Sequence, residues 1–204
     1  MSSSPSVSRI DLRRELRREL RRELRERRRA LSTSQQRLAA RKLQQQLQKL
    51  PELDRAQRIA LYWPNDGEID PRLLVAAKRH HQQLYLPVLQ SFPALTLRFV
   101  RWTPHLRMTK NRFGIPELRR GARLPAQVMD VILMPLVGFD ADGNRLGMGG
   151  GFYDRTLAFV QRAPRPLPVL IGVAHQCQQE AQLPAAAWDI PLQIIVTDKK
   201  TIRP

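Results

Sequence analysis

Apolar and polar positions along the chain change period several times, and each change marks an element. Residues 9–29 carry a tandem repeat, Arg13-Arg14-Glu15-Leu16, Arg17-Arg18-Glu19-Leu20, Arg21-Arg22-Glu23-Leu24. Its residues are good helix formers, and the period of four lines up Leu12, Leu16, Leu20 and Leu24 as a slowly drifting apolar stripe. Ser32 and Gln35 have capping-box spacing, so a second helix is expected to run to about Leu50, with Leu38, Leu43, Leu47 and Leu50 facing inward and Pro51 as its stop. Beyond it the pattern shortens to apolar runs. Residues 58–63 (RIALYW), 84–89, 95–102, 130–137, 169–174 and 192–196 read as strands. Pro64-Asn65-Asp66-Gly67 is turn chemistry. Residues 70–83 read as a helix with Asp70 as N-cap and Pro71 in the first position, and 151–161 as another. Strands alternating with helices predict an α/β domain with a largely parallel sheet. Residues 1–8 are Ser-rich and expected to be disordered; 9–204 form one domain.

The chain has 204 residues, enough for one sizeable core. Its single cysteine, Cys177, excludes an internal disulfide and a cysteine-rich zinc site. No apolar run approaches the roughly 20 residues that a bilayer requires, and the basic N-terminal segment is not followed by the apolar stretch of a signal peptide. A cytoplasmic setting is expected. The formal charge of +17 is the one unusual total. Residues 9–29 hold 11 arginines against 5 acids, so most of the surplus lies elsewhere. Anionic partners are implied: nucleic acid, acidic lipid, or phosphorylated or polycarboxylate substrates.

The densest candidate chemistry lies in residues 138–155. Four glycines, Gly147, Gly149, Gly150 and Gly151, fall within five positions, after an apolar strand and before a helix. Glycine lets backbone N–H groups approach phosphate closely, and a helix start adds positive partial charge. Arg145 can offer phosphate a charged fork. Asp154, on the first helical turn, could hold a cation that bridges phosphates. The loop has neither the Walker A ending nor the dinucleotide glycine spacing, and a flexible connection with an N-terminal aspartate fits the same residues. Glu68 follows a strand end and a turn, where α/β proteins place ligands; Trp63 nearby offers a flat face. Equally, Glu68 could be a solvated loop acid, Trp63 a core residue and Asp189 a turn residue. His175 and Cys177 lack a third orienting group for nucleophilic chemistry. His80 and His81 read as solvated, and no histidine spacing suits a metal.

The run Asn144-Arg145-Leu146-Gly147-Met148-Gly149-Gly150-Gly151-Phe152-Tyr153-Asp154 resembles the glycine block of 5-formyltetrahydrofolate cyclo-ligases. Leu133-Met134-Pro135 with Gly138-Phe139-Asp140, Gly67-Glu68-Ile69-Asp70, Asn111 to Glu117 (NRFGIPE) and Trp188-Asp189-Ile190-Pro191-Leu192 resemble further blocks. Arg17 to Arg21 and Arg29 to Ser32 resemble the family's first helix, the latter anchoring the register of the repeat. The resemblance implies a three-layer α/β/α sandwich with an N-terminal basic helix. It also implies ATP-dependent closure of 5-formyltetrahydrofolate to 5,10-methenyltetrahydrofolate with release of ADP and phosphate, through a phosphorylated formyl intermediate. By the same resemblance, ATP would contact Arg17, Arg18, Arg21, Arg145, Leu146, Gly147, Met148, Gly149, Gly150, Gly151, Phe152 and Tyr153. The folate would contact Arg21, Trp63, Glu68, Met148, Gly149, Gly150, Gly151 and Phe152. Magnesium would sit at Asp154 and Asp189, and Glu68 and Arg145 would be catalytic. Some members carry basic residues where this chain has Met148 and Gly150; Arg155 is the nearby candidate for that charge. Leu118 stands where many members have proline. A monomer without membrane or nucleic-acid partners is expected, the rival reading being a nucleic-acid-binding protein that uses the arginine helix.

Overall fold

The computed structural model describes residues 9–90, 93–103, 105–162, 166–186 and 188–204; the expected disorder of residues 1–8 lies outside them. In chain order the helices are α1 (Arg9–Arg29), α2 (Thr33–Leu47), α3 (Pro51–Arg55), α4 (Leu74–Ala77) and α5 (Phe152–Leu157). The strands are β1 (Arg58–Ala60), β2 (Gln83–Leu89), β3 (Leu97–Arg101), β4 (Met108–Lys110), β5 (Pro116–Leu118), β6 (Arg123–Leu124), β7 (Val131–Pro135), β8 (Gly138–Phe139), β9 (Arg145–Leu146), β10 (Val169–Ala174), β11 (Ile194–Thr197) and β12 (Thr201–Ile202).

Eight strands form one sheet in the order β12-β11-β10-β7-β1-β2-β3-β6. Strands β2, β1, β7, β10 and β11 run parallel, and β3, β6 and β12 add antiparallel edges. The largely parallel sheet expected from the alternating pattern is therefore present. Its strands are apolar on both faces, because successive side chains enter different cores. Ile59, Leu61, Val131, Leu133, Ile171 and Val173 pack with Leu43, Leu47 and Leu53 of α2 and α3. Ala60, Ile132, Met134, Leu170 and Ile195 pack with Leu157 of α5 and with Phe159 just beyond it. The result is a three-layer α/β/α arrangement.

The chain goes from β1 to β2 on one side, then returns to β7 on the other side of β1. Strand order reverses at β1 and β7, and the carboxyl ends of such a strand pair open a crevice where α/β folds bind ligands. Helix α1 lies over this end. Leu24 is fully buried with Val137, Leu146 and Leu183, with Leu20 packed against them. The apolar stripe drifts out of contact toward the N-terminus, so Leu12 is 63% and Leu16 46% exposed.

The capping box at Ser32 and Gln35 forms as expected, but Leu38 is 52% exposed rather than inward-facing. The helix expected over 70–83 reduces to α4. Asp70 accepts a hydrogen bond from Arg72 N, 2.9 Å, and Gln82 Oε1 accepts from Arg79 N, 2.9 Å. These local side-chain contacts compete with helical hydrogen bonds at both ends. Over 151–161 the helix is shorter too, α5 giving way to a 3₁₀ turn at Ala158–Gln161. The hairpins β4–β5 and β8–β9, and the short edge strands β6 and β12, were not expected from the pattern. Among the described residues no helix is long and apolar enough to cross a membrane.

Candidate functional site

Three segments meet at the carboxyl ends of β1 and β7: the turn 64–68, the loop 147–151, and one face of α1. The loop follows the β8–β9 hairpin and enters α5 through Gly151, whose φ of +65° only glycine adopts readily. Gly149 has φ +94°, and a Cβ there would sit 3.6 Å from Arg21 Cζ. The backbone is thus bare beside a guanidinium. Helix α5 has only six residues, so its end dipole adds less than a long helix would. Arginines and free amides supply the positive potential here.

Arg145 on β9 is buried and forms an ion pair with Asp154 on the first turn of α5. Its Nε is buried without a hydrogen-bond partner among the described residues. Arg21 Nε donates to Gly147 O at 2.8 Å. Burial first, then neighbouring Arg17, lowers the proton affinity of Arg21, while Asp189 opposes this. Arg17 donates to both oxygens of Asp189, at 2.6 and 3.1 Å, and to Pro184 O at 3.0 Å. Asp189 Oδ2 also accepts from Ala186 N at 2.8 Å. Arg18 points outward, its side chain 78% exposed. Arg155 donates to Leu95 O and Gly150 O and covers Phe152, so it braces the loop from outside.

Glu68 is a largely buried carboxylate, its side chain 11% exposed. Its Oε2 accepts from Asn65 N at 3.0 Å, and its Oε1 lies 4.0 Å from Arg28 Nη1. Burial pushes its pKa up to about 7, against the pull of Arg28 and the Asn65 amide. Tyr153 is partly buried nearby, its phenol proton held by desolvation and by Glu68. Trp63 packs edge-on against Trp102 with ring centroids 5.9 Å apart, and Arg72 covers it at 4.3 Å. Met148 is half exposed at the loop's crest. Phe152 meets Phe113 edge-on at 5.9 Å, with Arg112 over both rings. Arg17, Arg21, Glu68, Arg145, Asp154 and the glycine loop are therefore gathered at one end of the sheet. Arg18 lies apart from this network, and Leu146 and Tyr153 are buried or half-buried supports.

Asp66 and Arg28 escape a motif-based reading, whereas Arg112 and Phe113 fall in the block Asn111 to Glu117, to which no role was given. Asp66, φ +54°, accepts from Arg25, Arg28 and Arg29 together. Arg28 continues the period-four stripe of Leu20 and Leu24, and a guanidinium in an apolar stripe was the available signal. Phe113 and Arg112 come from the β4–β5 hairpin, whose position no local pattern gives. His175 is buried and disfavoured as a cation by that burial; the Cys177 thiol is likewise pushed up by burial. Neither has the setting of an activated nucleophile.

Magnesium chemistry can be weighed against these donors. Among the described residues no group of three or more His, Cys, Asp or Glu could hold a metal. Asp154 is accessible beside the loop and suits an ion that keeps waters and takes phosphate oxygens. Both Asp189 oxygens are engaged by Arg17 and a backbone amide, so that carboxylate is available only if Arg17 turns away.

Residues 13–198 match the model of the 5-formyltetrahydrofolate cyclo-ligase family. The 5-formyltetrahydrofolate cyclo-ligase of Haemophilus influenzae is 42% identical over 165 residues, covering 79% of this chain and 87% of that protein. The Escherichia coli enzyme of the same name is 41% identical over 178 residues, covering 86% and 96%. The solved structure of Aquifex aeolicus 5,10-methenyltetrahydrofolate synthetase superposes with a TM-score of 0.79 at 34% identity, over 92% of each chain. That of the Mycoplasma pneumoniae synthetase gives 0.70 at 26% identity, over 90% of this chain and 99% of the other. With extended identity in sequence and agreement in fold, the chain belongs to the 5-formyltetrahydrofolate cyclo-ligase family.

Proposed function

We propose that this enzyme closes 5-formyltetrahydrofolate to 5,10-methenyltetrahydrofolate at the expense of ATP, with the reaction centre between the glycine loop and Glu68. The observation that carries the reading is the convergence of bare loop amides, Arg17, Arg21 and Arg145 with one buried carboxylate that takes up its proton near pH 7. The formyl oxygen on N5 attacks the γ-phosphorus and ADP leaves, which makes an iminium phosphate of a poor leaving group. N10 then adds to the formyl carbon, Glu68 accepts the N10 proton, and phosphate departs as the five-membered ring closes. Phosphoryl transfer asks mainly for positioning and charge neutralisation. Residues 145–153, Arg17, Arg18 and Arg21 are assigned to ATP. The folate is assigned to Arg21, Trp63, Glu68 and residues 148–152.

Arg145 rests on Asp154, and Arg17 on Asp189. Each arginine can turn to phosphate as the nucleotide enters, which releases its carboxylate. Asp154, with Asp189 as the second carboxylate, would then hold magnesium, an ion that shields the charge of the phosphate oxygens. A base works best with a pKa near the operating pH, and Glu68 meets that condition.

The test follows absorbance as the methenyl product forms from 5-formyltetrahydrofolate, while ADP and phosphate are assayed in parallel. One ADP and one phosphate per product are expected. Turnover at the full rate without nucleotide would exclude the phosphorylated intermediate. A nucleic-acid partner is poorly served by the same helix, because Arg17, Arg21, Arg25, Arg27, Arg28 and Arg29 already bind the protein's own carboxylates and carbonyls.

A further inference from the structure

Among the described residues, Arg28 is the fully buried arginine of α1, with 0% exposure. Its donors reach three segments. Nε donates to Asp66 O at 2.8 Å, Nη2 to Asp66 Oδ2 at 2.9 Å, and Nη1 to Leu136 O at 3.2 Å, just past the end of β7. Nη2 also lies 3.8 Å from Met148 Sδ in the glycine loop. Two carboxylates share this cation unequally: Asp66 holds it at hydrogen-bond distance, whereas Glu68 Oε1 stands 4.0 Å away. Arg25 and Arg29 add their own ion pairs to Asp66, and Arg25 Nε donates at 2.7 Å. Gln36 Nε2 reaches both Arg28 O and Gly67 O at 3.2 Å, which fixes the turn to α1 from behind.

From this division of one buried charge we infer that Arg28 and Asp66 are positioning residues for Glu68: Asp66 takes the short contact, leaving Glu68 only partly compensated and able to exchange a proton during ring closure. This rests on the assignment of Glu68 as the proton acceptor. A buried carboxylate with a full ion pair would stay ionised far below neutrality, and one with no cation nearby would stay protonated well above it. The shared guanidinium sets a value between these limits. Burial raises the Glu68 proton affinity most, Arg28 opposes it, and Asp66 adds to it as a like charge. Other ionisable groups nearby are Tyr62 just past β1 and Tyr153 on α5, both coupled to Glu68, Asp70, which is coupled to Tyr62, and buried His175, which bonds Gly67 and feels Arg28. Both phenols are held protonated by burial, so neither competes for a proton near neutral pH.

Two substitutions are expected to act in opposite directions. Asp66→Asn removes the competitor while suiting the left-handed backbone at that position. Arg28 then faces Glu68 alone, and the Glu68 titration midpoint should fall by about one pH unit. Arg28→Met removes the cation and should raise it by at least as much; Arg28→Lys, with a single shorter-reaching charge, serves if the methionine variant does not fold. The midpoint is read by NMR on protein carrying ¹³Cδ-labelled glutamate, with the Glu68 signal identified by its loss in Glu68→Gln. The acid limb of kcat/KM for cyclisation should move with it, roughly tenfold in rate per pH unit on the limb. Opposite shifts in the two variants support the inference. Shifts of the same sign, or an unmoved Glu68 signal, overturn it. If the signals shift oppositely while Glu68→Gln keeps full activity, the division of charge stands and the proton-acceptor assignment fails.

Discussion

A carboxyl group buried with a shared cation weakens the fold that it serves. Glu68 binds its proton near pH 7 in the folded chain and near its ordinary value of 4.5 when unfolded. Between those values the folded form holds more protons, so stability falls as pH rises, and the penalty is fully present above pH 7. Glu68→Gln is expected to be more stable than the parent at pH 8, by at most about 3 kcal/mol, and equal to it at pH 4. Denaturant unfolding at the two pH values checks this; a gap that does not change with pH would mean that Glu68 titrates as an exposed acid. The same variant should cyclise at least about tenfold more slowly. Asp154→Asn leaves the buried Arg145 without its carboxylate, so it should lower the melting temperature and raise KM for ATP by about tenfold or more. At this scale the sequence pointed to Glu68, Arg145 and Asp154 through the glycine block and strand-end turn. Asp66 and Arg28 stayed hidden because their roles depend on burial, and a turn aspartate and an arginine in an arginine run look ordinary until α1 is docked.

Docking of α1 rests on a short stretch of its apolar stripe. Leu24→Ala is expected to cost about 2–5 kcal/mol, since Leu24 is fully buried, while Leu12→Ala should stay within about 0.5 kcal/mol. Gly138→Ala tests the same seam from the other side: the added Cβ would lie 2.5 Å from Leu24 Cδ1, an overpacking worth about 1–3 kcal/mol. If Leu12→Ala proved as damaging as Leu24→Ala, the docking would extend further toward the N-terminus than the structure places it. The capped start of α2 and the long apolar runs of β2, β7 and β10 were legible, because capping chemistry and burial on both faces leave local marks. The helix expected over 70–83 was not, since the Asp70 and Gln82 side-chain hydrogen bonds that shorten it depend on how the turns close. Strands of two or three residues, such as β6, β8, β9 and β12, carry too few positions to show a period.

Strand order belongs to the whole molecule, and it decides where the site lies. The alternating pattern implied a largely parallel sheet, but nothing local says that β7 pairs with β1. That pairing creates the crevice and brings residues 64–68 beside residues 147–151. The formal charge of +17 acts at this scale as well. It draws polyanionic substrates toward the site, and salt screens that attraction. KM for ATP should therefore rise steadily between low salt and about 0.5 M, a concentration at which the screening length is only a few ångströms. A KM independent of salt would confine the attraction to direct contacts.

The pair Arg17–Asp189 joins positions 172 residues apart. A ribosome that has finished the glycine loop has still not made this partner of Arg17, and a message broken before the codon for Asp189 encodes none. Catalysis by this protein should thus report on completed synthesis: shortened products from premature stops are expected to be silent rather than sluggish.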